Sequence, residues 1–245
     1  MLELLSANPL LSLIAVPVVL VVVYILGSIR YIPNSKVAII DKRFSPRGSI
    51  TNGIIALNGE AGYQPLVLRG GVHFLPMFVY AVHVQPLVII GQGHLGYVFA
   101  RDGLPLPPNQ TLADNTKADD FGDVAAFVRN GGQRGPQRKL LREGTYAINL
   151  AQFAVITERG VLYHRLEKAD DQVFNAMAQL LHERWGFVPV VIQGADDAIG
   201  IVTVHDGPSL SDGQIIAPIC GDDPTNTANY HASFQDPERF LRAGG

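Results

Sequence analysis

A chain of 245 residues with a formal net charge of -3 carries no basic footprint for a nucleic acid. Its single cysteine, Cys220, excludes an intrachain disulfide. Charged residues make up only 17%, below the usual quarter, so the body is apolar enough to suit packing against a membrane or against copies of itself.

The first element is the most apolar. No charge lies between Glu3 and Arg30, and Leu10 to Leu26 is broken only by Ser12, Pro17 and Tyr24. Leu10, Leu13, Ile14, Val18, Val19, Leu20, Val21, Val22, Val23, Ile25 and Leu26 are the lipid-facing candidates, and residues 1–30 are predicted to form a transmembrane anchor. A cleaved signal fits worse, because Glu3 spoils a positive n-region and the residues after the core are a weak cleavage site. Arg30, Lys36, Lys42, Arg43 and Arg47 follow the span with no Lys or Arg before it. The positive-inside rule then predicts a single-pass protein of the cell membrane with its body in the cytoplasm. The ~215 residues that remain are enough for one large domain or two small ones.

Strands dominate those residues. Lys36 to Asp41 and Tyr80 to Ile90 are β-branched runs, the second starting with the alternation of a half-buried strand. Pro105, Pro107 and Pro108 mark a loop, and Asp119 or Asp120 is read as the start of a helix ending at Arg129. Ala151 to Thr157, a turn at Glu158-Arg159-Gly160, and Val161 to His164 form a predicted hairpin. Asp170 or Asp171 caps a helix with Val173, Phe174, Met177, Leu180, Leu181 and Trp185 on its apolar stripe and Gly186 as its stop. Asp236-Pro237-Glu238 opens a last helix that Gly244 closes.

The chain also repeats itself. Gly59-Glu-Ala-Gly62-Tyr-Gln64 through Leu68-Arg69-Gly-Gly71-Val-His73 returns as Gly132-Gln-Arg-Gly135-Pro-Gln137 through Leu141-Arg142-Glu-Gly144-Thr-Tyr146. Gly96-Tyr-Val98 through Asp102-Gly103 returns as Gly200-Ile-Val202 through Asp206-Gly207, and Phe127-Val-Arg129-Asn-Gly131-Gly132 returns as Phe240-Leu-Arg242-Ala-Gly244-Gly245. One structural unit used in tandem is the physical reading of such self-similarity. It predicts a first unit over 31–131 and a second over 132–245. A third unit starts at the end, and the reading frame is expected to continue past Gly245. Gly62, Gly71, Gly96, Gly135, Gly144 and Gly200 are the candidate structural positions, where a positive φ or a close backbone approach calls for glycine.

No residue set argues for catalysis. Gly91-Gln-Gly93-His-Leu-Gly96 has dinucleotide-loop spacing, but a strand and a turn follow where a phosphate-binding helix is needed. The doublets Asp119-Asp120, Asp170-Asp171, Asp196-Asp197 and Asp222-Asp223 sit at helix starts or turns and have no His or Glu at ligand spacing. His73, His83 and His94 lie on or beside strands, and Cys220 has no nucleophile signature. The expectation is a non-enzymatic protein with no cofactor and no metal.

The Leu68-Arg69-Gly-Gly71 and Leu141-Arg142-Glu-Gly144-Thr-Tyr146-Ala-Ile-Asn149 segments, with Phe153-Ala-Val-Ile-Thr157 and the apolar N-terminal run, resemble the SPFH or band 7 family and its flotillin-like bacterial members. The similarity covers roughly Ala38 to Gly245. It implies an α+β fold of tandem SPFH-like units, with mixed or antiparallel sheet and short helices behind one transmembrane helix. It also implies scaffolding of membrane microdomains, with lipids, further copies or related SPFH proteins, and a membrane protease as partners. A regulatory subunit of a membrane protease and a membrane-tethered enzyme are the alternatives. The family's long Glu/Ala-rich coiled coil has no counterpart in this sequence.

Overall fold

The computed structural model describes residues 9–108, 110–114, 121–191, 199–218, 220, 225, 234 and 237–245, with backbone alone over 9–12. Asp119, Asp120, Asp196, Asp197, Asp222, Asp223 and Asp236 lie outside the described residues, as does the side chain of Leu10. The chain is α+β, and every named strand ladder is antiparallel; parallel pairing occurs only in isolated bridges. Two compact units divide at Pro86 and Leu87, whereas the sequence division at 131/132 follows the repeated motif.

In the first unit, helix α1 (Pro9–Ser28) runs directly into β1 (Ile29–Ile32). Strands β2 (Lys36–Lys42), β3 (Gly62–Leu68), β4 (Gly71–Phe74) and β5 (Tyr80–Pro86) complete it. The sheet order is β3-β2-β5, and β1 pairs separately with β4. Strand β2 reads as a continuous apolar run because it is the central strand. Val37, Ala38, Ile39 and Ile40 are buried and, with Ile55, Ala56 and Ala61, form the core.

The transmembrane expectation is corrected here. Among the described residues no helix is long and apolar enough to cross a membrane. The described side chains of α1 start at Leu13, and its last turn belongs to the folded unit. Ser28 is fully buried and donates to the Tyr24 carbonyl at 2.7 Å, the Met77 amide donates to the Ser28 hydroxyl at 3.2 Å, and Tyr24 stacks on Phe78. Leu13, Ile14, Val18, Val19, Leu20, Val21, Val22, Val23, Ile25 and Leu26 are exposed apolar residues of α1, and the predicted single-pass anchor is not borne out among the described residues.

In the second unit the strands are β6 (Val88–Ile90), β7 (Tyr97–Ala100), β8 (Gly135–Pro136), β9 (Gly144–Tyr146), β10 (Phe153–Thr157) and β11 (Gly160–Leu162). The order is β11-β10-β7-β8, with β6 paired to β9. The predicted run from Tyr80 to Ile90 is two strands, β5 and β6, which serve different ladders. Helix α2 (Val124–Arg129) is capped by Asp123, whose carboxylate accepts the Ala126 amide at 2.9 Å, so the cap lies downstream of the predicted Asp119 or Asp120. Every residue of β10 is buried, and Phe121 and Phe127 set their ring edges against Phe153 at 5.2 and 5.0 Å.

Helix α3 (Asp170–Glu183) packs Phe174, Met177, Ala178 and Leu181 toward β10, β11 and Phe187, while Val173, Leu180 and Trp185 are exposed. Asp170 does not take the N-cap position; it turns back to accept the amides of Leu166 and Glu167 at 2.9 Å. At the other end the Gly186 amide reaches the Leu181 carbonyl and the Trp185 amide the His182 carbonyl, a Schellman pattern. The left-handed residue in it is Trp185, with φ 54°. Gly186 answers a different need, since a side chain there would press on Tyr97 and Leu181. The described chain ends in helix α4 (Pro237–Arg242).

Candidate functional site

The repeated motif folds the same way in both copies. Gly62 and Gly135 have φ of 136° and 111°, and Gly71 and Gly144 have 133° and 149°. The Gln64 amide group donates to the carbonyls of Glu60 and Gly62 at 3.2 and 2.9 Å; that of Gln137 donates to Gln133 and Gly135 at 2.8 and 2.9 Å. The glutamine thus clamps a turn from which the strand starts. Four residues on from each arginine, the His73 ring pairs with the Arg69 carbonyl at 2.8 Å, and the Tyr146 hydroxyl donates to the Arg142 carbonyl at 2.9 Å.

The same correspondence runs through the ladders. Ile32 faces Gly71 as Ile90 faces Gly144, and β2 lies between β3 and β5 as β7 lies between β8 and β10. The Ala56 amide donates to Tyr63 and the Ala113 amide to Pro136, both at 2.8 Å. Gly96 exchanges two backbone hydrogen bonds with Leu141, and a Cβ there would strike Ile90, so the glycine-rich loop before β7 is repeat backbone. Gly200, its counterpart in sequence, lies in an exposed stretch.

Two ion clusters tie the second unit together. Arg138 is buried, donates to Glu238 at 2.6 Å, and stands 3.7 Å from Asp206. Asp206 also accepts the hydroxyl and amide of Thr111 at 2.7 and 2.9 Å. Burial pushes its carboxyl up, but the Thr111 and Leu112 hydrogen bonds and the Arg138 charge outweigh that, leaving it below the ordinary range. Arg101 similarly joins Asp170 at 2.7 Å and the His164 carbonyl at 2.6 Å. For Asp170, burial is again the largest effect, and the Glu167 and Leu166 amides with Arg101 bring the net shift downward. These carboxylates are spent on holding elements in place.

A cavity of about 360 Å³ lies among Phe99, Arg101, Leu106, Arg134 and Pro136. Its lining has cations but no carboxylate or histidine, so it holds no acid and base pair. Among the described residues no group of His, Cys, Asp and Glu is close enough to hold a metal ion.

The unusual surfaces are apolar. On the β1–β4 ribbon, Ile29 faces Phe74 and Tyr31 faces Val72, all on one side and all exposed, Tyr31 and Val72 by 68% and 70%. Together with α1 they leave the first unit with more uncovered apolar surface than a monomer ordinarily tolerates. Sequence reasoning missed the ribbon, although the alternation of Ile29 and Tyr31 with Arg30 and Ile32 is its signal. Comparison with known protein families, with curated proteins and with solved structures found no match.

Proposed function

We propose that the chain is a non-enzymatic scaffold of the SPFH or band 7 kind, which works by assembling with copies of itself or with related chains. The observation that carries this reading is the exposed apolar surface of the first unit, on a repeated unit whose motif residues are spent on backbone geometry. Apolar area of that kind calls for a partner, and neighbouring protein and lipid are the proposed ones. The SPFH assignment rests on the Leu-Arg-x-Gly segments and the Gly144-Thr-Tyr146-Ala-Ile-Asn149 run. Light scattering and electron microscopy of the purified full chain test the reading. Large closed particles that dissociate when Tyr31 and Phe74 are both changed to Ser are expected, and a monomer at micromolar concentration would refute it.

A further inference from the structure

The proline segment Leu104-Pro105-Leu106-Pro107-Pro108 follows β7, and no helix or named strand runs through it. Its own chemistry sets its conformation. Pro105, Pro107 and Pro108 hold φ at about −65°, and Leu104, Leu106 and Pro107 each precede a proline, which keeps them extended. The result is a short polyproline II run with three residues per turn. The body anchors both ends. The Leu104 amide donates to the Gly132 carbonyl and the Leu104 carbonyl accepts the Arg134 amide, both at 2.9 Å, while the Gln110 amide closes a turn on the Pro107 carbonyl at 3.0 Å.

A period of three sorts the side chains onto three edges. Leu106 is half-buried against β8, where a Cβ on Gly135 would lie 3.2 Å from its Cδ1. The other two edges face outward. Leu104 and Pro107 lie on one and Pro105 and Pro108 on the other, all four exposed, Leu104 by 55%. Two exposed pairs, Leu104-Pro105 and Pro107-Pro108, separated by one inward residue, form the kind of surface that an aromatic-lined groove grips. The repeat does not require it. In the first copy, the stretch after β2 from Lys42 to Gly48 has a single proline, Pro46, and is held by the Ser45 hydroxyl, which donates to the Gly59 carbonyl at 2.7 Å.

A cation stands beside the run. Arg134, whose backbone is bonded to Leu104, is exposed, and among the described residues its guanidinium makes no hydrogen bond or ion pair. We infer that residues 104–108 dock into a protein module that reads polyproline II through an aromatic-lined groove, with an acidic side chain of that module against Arg134. The run is already formed and anchored, so docking loses little conformational entropy on this side. The inference stands on the proline geometry and is independent of the SPFH reading.

The test is isothermal titration of the purified full chain with a panel of purified SH3 and WW domains. Saturable binding by at least one domain is expected, with a Kd below about 100 μM, weakened about tenfold or more by the double variant P105A/P108A, by L104D and by R134E. These substitutions change exposed side chains, and far-UV circular dichroism checks that each variant is folded as the parent is. Failure of the whole panel to bind overturns the proposal. Unchanged affinity in P105A/P108A, in L104D or in R134E overturns it as well.

Discussion

Gly103 and Gly160 form a matched pair in one unit. Their φ values are 137° and 136°, but around Gly160 a Cβ would find open space, whereas at Gly103 it would overlap the Gly132 carbonyl and crowd the Arg134 amide at 3.0 Å. Gly160→Ala therefore isolates the cost of a backbone conformation that side chains avoid, about 1–3 kcal/mol. Gly103→Ala adds the overlap, about 1–3 kcal/mol for overpacking. It also stretches the bond from the Leu104 amide to the Gly132 carbonyl, now 2.9 Å, whose net worth is about 1 kcal/mol. The expected difference between the two variants is therefore about 2–4 kcal/mol, with Gly103→Ala the less stable. Urea unfolding of the full chain followed by far-UV circular dichroism, at one fixed protein and detergent concentration, measures it. Equal midpoints for the two variants would refute the close approach, and with it the packing reason for glycine at that repeat position.

Trp185→Gly is expected to raise stability by about 0.5–1 kcal/mol, read as a higher melting temperature, because it relieves a left-handed residue whose ring is 84% exposed. Gln137→Leu should cost about 1–3 kcal/mol by stranding the Gln133 and Gly135 carbonyls, and Gln64→Leu less, because Gln64 is only half buried; a larger loss at Gln64 would contradict the shared clamp. Asp206 and Asp170, both held below the ordinary carboxylate range, contribute stability that is complete above about pH 4 and lost as pH falls through their folded values. Denaturation midpoints at pH 7 and pH 3 should differ less in Asp206→Asn than in the parent chain.

Local chemistry was legible where it was self-contained. The Lys36 run, the Gly160 hairpin and the helix from Asp170 carry their own periodicity and punctuation, and they form as β2, β10–β11 and α3. The break inside Tyr80 to Ile90 was not legible, because Val84 to Ile90 reads as one strand and its division at Leu87 is imposed by different partners, β2 for β5 and β9 for β6. The ribbons β1–β4 and β6–β9 escaped for the same reason: each strand is only three or four residues, and its partner lies far along the chain. Trp185 misled because an apolar residue at helical spacing looks like core, whereas its place just after the helix turns it outward. Hydropathy alone likewise could not show that the last turn of α1 is taken up by Met77 and Phe78.

Two copies of one unit allow a separation that a single copy does not. Where the copies agree, at Gly62 and Gly135, Gln64 and Gln137, or Gly71 and Gly144, the residues serve carbonyls and turns that any such unit must satisfy. Where they differ at equivalent positions on an exposed face, the fold imposes no choice, and the difference reflects what each surface meets. Tyr31 opposite Val72 corresponds to Ile89 opposite Thr145. The first copy is thus aromatic and apolar at a place where the second accepts a hydroxyl, although the two ladders have the same register. Ile89 is itself apolar and exposed, so the ribbons differ chiefly at Thr145, where the register is kept with a hydroxyl in place of Val72. Tyr31 and Val72 are therefore positions where polar substitution is expected to cost the fold little, and under the proposed scaffold reading the first unit's ribbon is the place to test association.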